Sequence, residues 1–491
     1  VIALLAPALT VAVLYTPVLG LQLIGDDYQW LQLANAAGSR PGLLLADLDG
    51  FWRPSSTWLM VLEHRVWGPD PAGYHLTNLM LHAVAAMLLA AAGLRLGLSR
   101  VAASVVGVLW GASPFALEPA ASVACRHENL LLIGWMVLVL VWPGSGERWS
   151  RGKIGAVLAG AALAMVSKET WVVTPALVAA LELWHRDRGL VGAVRGAVPW
   201  CAAVGVYALV HVLVLPGRSY FAITPETLAK VPHQLAAFLA LEQLAPLDFS
   251  FSWTGALALA VVVAVGVVAV RWRIRSASVG LVLLAAPVLP TLFIPYLPTR
   301  YTAIPYAGFL LLAAGVAGAW ILRLQPRWQH AARSGLAMVV ALVLVAGALT
   351  VRADLEDHRR VSAAHARLLG EARQVAGQMP RDQVVMAVRA ETDNPLAEIS
   401  LTPRGLAKIY YPRHCDPYAL IDSAALWDWV LRDDGVVVRG VEAGPEPPAA
   451  VLVHRSGRFE WLAGDEAVGF LELERQEGSG VCVQWIRAEE R

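Results

Sequence analysis

Charge is scarce in this sequence. Only 16% of its 491 residues are Asp, Glu, Lys or Arg, against 57% hydrophobic ones, which is too apolar a balance for a soluble chain of this size. Basic runs and aromatic-basic stripes are absent and the net charge is +1, so nucleic acid is excluded as a partner. Cysteine is scarcer still. The four that occur make no zinc pattern. Cys201 falls within an apolar run and Cys125 precedes Arg126, whereas Cys415 and Cys482 share the polar C-terminal part, where an oxidising compartment would let them form a disulfide. No internal repeat is visible. Val1 stands where a Met is expected, inside an apolar run already under way, so a short cytoplasmic start is expected to precede it; without a basic leader or a small-residue cleavage site, Ile2 to Leu23 reads as a first span.

What the sequence has instead is a succession of apolar stretches up to Val351, after which acids and arginines become frequent. This predicts a membrane domain over residues 1–351 and an extracytoplasmic domain over 352–491. The fold expected is an all-α polytopic membrane protein of about eleven transmembrane helices with a small α/β domain at its C-terminus. After the first span, helices are placed at Ala72 to Leu94, Val101 to Leu117, Leu130 to Trp142, Ile154 to Val166, Trp171 to Trp184, Ala197 to Leu215, Gly255 to Val270, Ser278 to Pro295, Tyr301 to Leu322 and Ser334 to Val351. Alternating sides gathers Arg95, Arg100, Arg148, Arg151, Lys153, Arg186, Arg188, Arg195, Arg271, Arg273, Arg275, Arg323, Arg327 and Arg333 on one face, which is therefore cytoplasmic. Beyond Val351, Asp354 to Gln378 reads as a helix, and Val384 to Val388, Val451 to Trp461 and Phe470 to Trp485 read as strands or hairpins.

The spans Leu130 to Trp142 and Ile154 to Val166 hold 13 residues each, roughly 20 Å of helix against a hydrocarbon core of about 30 Å. Their polar outer ends, Arg126, His127, Glu128 and Asn129 on one and Ser167, Lys168 and Glu169 on the other, are expected below the outer surface. Ionisable groups at that depth pair with each other or line a wet cavity.

Chemistry-bearing residues cluster on the outer side. Asp26 and Asp27 follow the first span directly; adjacent carboxylates can divide the work of accepting a proton and holding an acceptor or cation, or be a solvated acidic pair. Arg126, Lys168 and Arg300 all stand at outer helix ends, as an anionic lipid head group would require, with Glu128 and Glu169 to position them; local ion pairing within the bundle is the other reading. His75, Asn78 and His82 share a face of the second span. A spacing of seven between the histidines is too wide for one ion and suits an inter-helix hydrogen bond, while a divalent metal stays open. Arg53 opens a segment, Ser55 to Trp67, whose Trp58, Leu59, Leu62 and Val66 share a face; it reads as an interfacial helix or as a connector packed on the spans.

Six segments in order carry a resemblance: Gly25-Asp26-Asp27, Trp52-Arg53-Pro54, Ala72 to Ala83 (AGYHLTNLMLHA), Pro114 to Leu131 (PFALEPAASVACRHENLL), Ser167-Lys168-Glu169 and Thr299 to Gly308 (TRYTAIPYAG). Together they resemble the GT-C superfamily of membrane glycosyltransferases, closest to the branch of the protein O-mannosyltransferases and their tetratricopeptide-linked relatives, over roughly Gly25 to Leu310. The resemblance implies transfer of a sugar from a polyprenyl-phosphate donor to an acceptor hydroxyl of a protein or glycan on the extracytoplasmic side, in contact with membrane lipids and in a bacterial inner membrane. It implies Asp26 or Asp27 as general base, a donor-phosphate site at Arg126, Lys168 and Arg300, and support from Arg53, Glu128, Glu169 and Tyr301. Departures are Cys125 and His127, where small residues are expected, and the absence of tetratricopeptide repeats. Displacing a lipid phosphate needs a base for the hydroxyl and cations for the phosphate, through an oxocarbenium-like transition state, and a single displacement inverts the anomeric centre. The rivals are a transporter or flippase of lipid-linked sugars, which would more often show repeated halves, and a non-catalytic membrane subunit. The C-terminal domain would bind an acceptor or partner, or cap the cavity.

Overall fold

The computed structural model describes residues 2–23, 27, 30, 31, 34, 37, 41–45, 52–68, 70–214, 253–291 and 299–376, and strands between 384 and 487. They fall into two compact units, one formed by Val1–Leu19, Leu44–Leu59 and Gly73–Leu355, the other by Gly20–Leu43, Met60–Ala72 and Glu356–Arg491.

The helices in chain order are α1 (Ile2–Tyr15), α2 (Pro54–Trp67), α3 (Pro71–Arg95), α4 (Arg100–Gly111), α5 (Leu117–Ala121), α6 (His127–Val141), α7 (Arg151–Ser167), α8 (Thr174–Ala180), α9 (Leu190–Val214), α10 (Trp253–Arg271), α11 (Arg275–Ala285), α12 (Val288–Thr291), α13 (Ala303–Arg323) and α14 (Pro326–Ala376). Local chemistry sets many of their ends. Gly97, at φ +96°, turns the chain out of α3, and the side chains of Ser99 and Ser150 accept from Ala102 N and Lys153 N at the starts of α4 and α7. The expected span Val101 to Leu117 is interrupted. Ser113 caps Phe115 N at 3.1 Å, Pro114 supplies no N–H, and the chain bends by 60° between the segments Arg100–Gly111 and Pro114–Ala121.

Among the described residues five helices are long and apolar enough to cross a membrane, six if that bent pair counts as one. Two of them, Leu190–Val210 and Pro326–Arg360, are only 11% buried, so side chains such as Val206, Leu209, Met338, Leu342 and Leu349 stand exposed. Water does not tolerate apolar area on that scale, and lipid does. The chain is an integral membrane protein. Helix α2 makes the same point in miniature, because Trp58, Leu62 and Val66 are exposed along one side while Ser56, Thr57 and Glu63 are buried. That is the inverse of a water-facing amphipathic helix.

The two short spans expected from the sequence are longer than that reading allowed. A 3₁₀ turn, Val123–Arg126, runs into α6 and makes a helical run of 19 residues, Val123–Val141, and α7 has 17 residues. The polar tetrad Arg126 to Asn129 hid the true start: these residues lie inside the helical run and are buried. The expected span Trp171 to Trp184 is likewise composite, a 3₁₀ turn (Glu169–Val173), α8 and a π turn (Leu181–His185).

Small residues let the helices of the first unit approach backbone to backbone. A Cβ on Gly134 would lie 2.6 Å from Gly160 O, where α6 meets α7, and one on Gly280 would lie 2.6 Å from Gly308 O, where α11 meets α13.

In the second unit Asp27 is helical, and Asp27, Trp30, Ala34 and Ala37 are all buried, the three-to-four spacing of one helical face. Gln22 N donates to Ser362 Oγ at 2.8 Å. Helix α14 continues without a break through residue 352. The strands are β1 (Val384–Val388), β2 (Leu420–Ile421), β3 (Val437–Val438), β4 (Val441–Glu442), β5 (Ala450–Arg455), β6 (Arg458–Ala463) and β7 (Val483–Arg487). Five of them form one sheet in the order β2-β7-β1-β5-β6, in which β1 and β5 run parallel, Val385 opposite Ala450. Strands β5 and β6 pair antiparallel with Leu452 opposite Trp461, and β3 pairs with β4 alone.

Candidate functional site

In the first unit, five separated segments bring charged side chains together. Helix α7 ends at Ser167, and Lys168 adopts extended geometry, φ −160° and ψ 145°. Extension sends consecutive side chains to opposite sides, so Lys168 and its neighbour Glu169 reach different partners. Lys168 Nζ pairs with Glu128 in the first turn of α6. Glu169 accepts from Arg53 on the approach to α2, Nε to Oε1 at 3.3 Å and Nη2 to Oε2 at 3.2 Å. Glu128 and Lys168 are 2% and 6% exposed, a desolvated pair in which loss of either member would strand a buried charge.

The third pair is Arg300 with Glu118. The guanidinium meets Glu118 Oε1, and the Arg300 backbone N–H donates to Oε2 at 2.8 Å. Cys125 Sγ donates to the same carboxylate at 3.6 Å. Between the first and third pairs stands Tyr301, with Lys168 Nζ 4.2 Å and the Arg300 guanidinium carbon 5.4 Å from its ring centre. The ring face gives two cations a favourable surface without neutralising either.

The remaining sequence-predicted residues are placed as follows. Arg126 is fully buried, and its guanidinium donates to Val123 O at 3.0 Å and to Tyr74 O at 3.5 Å. His127 Nδ1 lies 2.9 Å from Ala124 O and 3.4 Å from Arg53 Nη1. A carbonyl only accepts, so Nδ1 carries the proton toward Ala124 and the Arg53 contact is packing. Asn78 Nδ2 faces three carbonyls, those of Pro119, Ala120 and Ser122, at 3.0, 2.9 and 3.0 Å, tying α3 to the bent segment that carries Glu118. His82 lies 3.1 Å from Asn129 Oδ1 and 3.3 Å from Gly111 O, and His75 is buried on the same helix. Asp27 is buried in the second unit. Asp26, Cys415 and Cys482 lie outside the described residues. Among the described residues no group of three or more His, Cys, Asp or Glu is placed to hold a metal ion.

Glu118 is the residue that sequence reasoning missed. It sits inside the apolar run from Pro114 to Ala121, and its partner is 182 positions away. A lone acid in such a run was the available signal, since an ionisable group in a membrane segment needs a partner.

At the opposite helix ends, the basic face is held by its own acids. Glu147 joins Arg95 and Lys153 at 2.8 and 2.7 Å; hydrogen bonds from Arg95, Lys153 and the Gly144 backbone hold its carboxyl down to about 2.

No family model matches the chain. Over 277 residues, 49% of its length, it is 30% identical to the protein O-mannosyl-transferase Tmtc2 of Drosophila melanogaster. Over 172 residues, 32% of its length, it is 28% identical to Tmtc1 of the same organism. The chain spans 29% and 20% of the length of these two proteins. Among solved structures it matches ArnT from Cupriavidus metallidurans bound to undecaprenyl phosphate with a TM-score of 0.50 and 14% identity, covering 81% of this chain and 84% of that one. Apo ArnT gives 0.51 at 14% identity, with 81% and 83% covered. The chain has the fold of ArnT. In this chain the three ion pairs are made by residues from the segments that carried the sequence resemblance, with Glu118 lying inside one of them.

Proposed function

We propose that this protein is a GT-C glycosyltransferase that moves a sugar from a polyprenyl-phosphate donor to an acceptor hydroxyl of a protein or glycan. The observation that carries the reading is the meeting of Lys168 and Arg300 at one aromatic ring, Tyr301, each cation drawn from a different helix end. Two cations about one polar spot suit a phosphate leaving group, whose charge grows as the glycosidic bond breaks and which needs no proton from an acid. Arg126 belongs to the same assignment through its place at the start of α6. Undecaprenyl phosphate, the lipid held by ArnT, is the donor carrier proposed here. Asp26 or Asp27 serves as the base that takes the acceptor proton, and the displacement inverts the anomeric centre.

Further parts of the reading follow from charge and composition. The face bearing Arg95, Lys153 and Arg275 is cytoplasmic, so transfer occurs on the other side, the periplasmic side of a bacterial inner membrane. Residues 1–351 form the membrane domain and 352–491 an extracytoplasmic α/β domain, with Cys415 and Cys482 bridged. Alkylation of the unfolded, unreduced protein followed by peptide mass analysis should label Cys201, which is exposed, and leave Cys415 and Cys482 unlabelled; labelling of both would refute the bridge.

Purified protein given radiolabelled polyprenyl-phosphate sugars tests the reading. An enzyme releases the sugar from its lipid and leaves free polyprenyl phosphate. A flippase changes only the leaflet in which intact donor is found, and a non-catalytic subunit does neither.

A further inference from the structure

The three ion pairs of the first unit are not equivalent, and the difference assigns a role to Glu118. Lys168 and Glu128 are 6% and 2% exposed, and Arg53 is 7% exposed against 28% for Glu169. Arg300 and Glu118 are both part-exposed, at 20% and 27%. Breaking a pair in which a partner is sealed leaves a charge in a low-dielectric interior, whereas a pair open on both sides gives up little when one member exchanges its partner. Of the three cations, Arg300 is the one that can change counter-ion at small cost.

Glu118 is also built to be left behind. Its Oε2 accepts the backbone N–H of Arg300 and its Oε1 receives the Cys125 thiol, and neither contact depends on where the Arg300 guanidinium points. If the guanidinium swings to another anion, the carboxylate keeps two hydrogen bonds. Asn78 holds the carbonyls of Pro119 and Ala120 immediately after it, so the carboxylate does not follow the departing side chain.

We infer that Glu118 is a resident counter-ion of Arg300, displaced when the phosphate of the lipid donor arrives. It occupies the guanidinium in the empty protein, keeps it oriented beside Tyr301 and yields it to a more highly charged anion. Glu118 is thus a positioning residue that acts through Arg300, and it sets donor affinity by competition. This rests on the donor reading above.

The sign of one measurement separates this role from a structural one. Binding of undecaprenyl phosphate to the full chain in nanodiscs is measured for wild type, Glu118→Gln, Glu118→Asp and Arg300→Ala. A resident counter-ion competes with ligand, so Glu118→Gln should bind more tightly, by about tenfold, the worth of one charge-assisted hydrogen bond. Glu118→Asp, which keeps the charge but cannot span both the backbone N–H and the guanidinium, should tighten binding by a smaller factor. A merely structural glutamate gives the opposite sign. Unchanged or weaker binding in Glu118→Gln overturns the proposal, and if that variant does not fold, unchanged or weaker binding in Glu118→Asp does so. Arg300→Ala reports on the underlying reading: wild-type affinity there removes Arg300 from the donor site, whereas weakened binding with no gain in Glu118→Gln leaves the donor site standing and removes only the counter-ion role.

Discussion

The ammonium of Lys168 stands 4.2 Å from the centre of the Tyr301 ring while its charge is paired with Glu128. One lysine therefore serves two partners, a carboxylate that makes its burial tolerable and a ring face beside which Arg300 also lies. Stability and donor binding should be separable at this residue.

Lys168→Met strands the Glu128 carboxylate and should destabilise the protein by about 3 to 5 kcal/mol. Adding Glu128→Gln removes the stranded charge and should restore most of that loss, while donor consumption stays abolished in both. Thermal unfolding and the radiolabel assay read the two effects. Recovery of activity in the double variant would show that Lys168 has no part in donor binding.

Asp27→Asn should lower sugar transfer by about a hundredfold or more, the contribution of a positioned base, with an unfolding temperature close to wild type. Asp26→Asn, measured beside it, decides which of the adjacent carboxylates is the base. If both variants turn over at the wild-type rate, the base lies elsewhere.

The close approach of α11 and α13 predicts a steric effect. A Cβ at Gly308 would overlap Leu284 N, and one at Gly280 would meet both Gly308 O and Leu312 N at 2.6 Å. Gly280→Ala and Gly308→Ala should each cost about 1 to 3 kcal/mol. Gly318, on the same helix with nothing within 4 Å, is the control, and its replacement by Ala should be neutral or stabilising by up to about 1 kcal/mol.

Glu147 gives a pH signature. Its folded value of about 2 lies below its ordinary 4.5, so its contribution is complete above about pH 5 and is lost as pH falls through that interval. The unfolding-temperature gap between wild type and Glu147→Gln should be constant from pH 7 to 5 and narrow below 4.5. A gap that widens on acidification would contradict the Arg95–Glu147–Lys153 arrangement.

The sequence by itself determined the membrane class and the helix-rich architecture, because long apolar runs with few charges have no alternative to spanning lipid. It also singled out Arg126, Glu128, Lys168, Glu169 and Arg300, since charged residues at the ends of such runs are costly and stand out. What it could not supply was partnership. Nothing in the order of residues says that Lys168 reaches Glu128 rather than its neighbour Glu169, a choice made by the extended backbone at Lys168. Nor does it say that Glu118 meets an arginine 182 positions away. The start of α6 was misplaced for the same reason: Arg126 to Asn129 look like the end of a span when read alone, and they lie inside a helix because distant segments supply the partners that make their burial affordable. Periodicity and polarity are local properties of the chain, whereas the pairing of buried charges depends on which helix ends the fold brings together, and only the tertiary structure decided that.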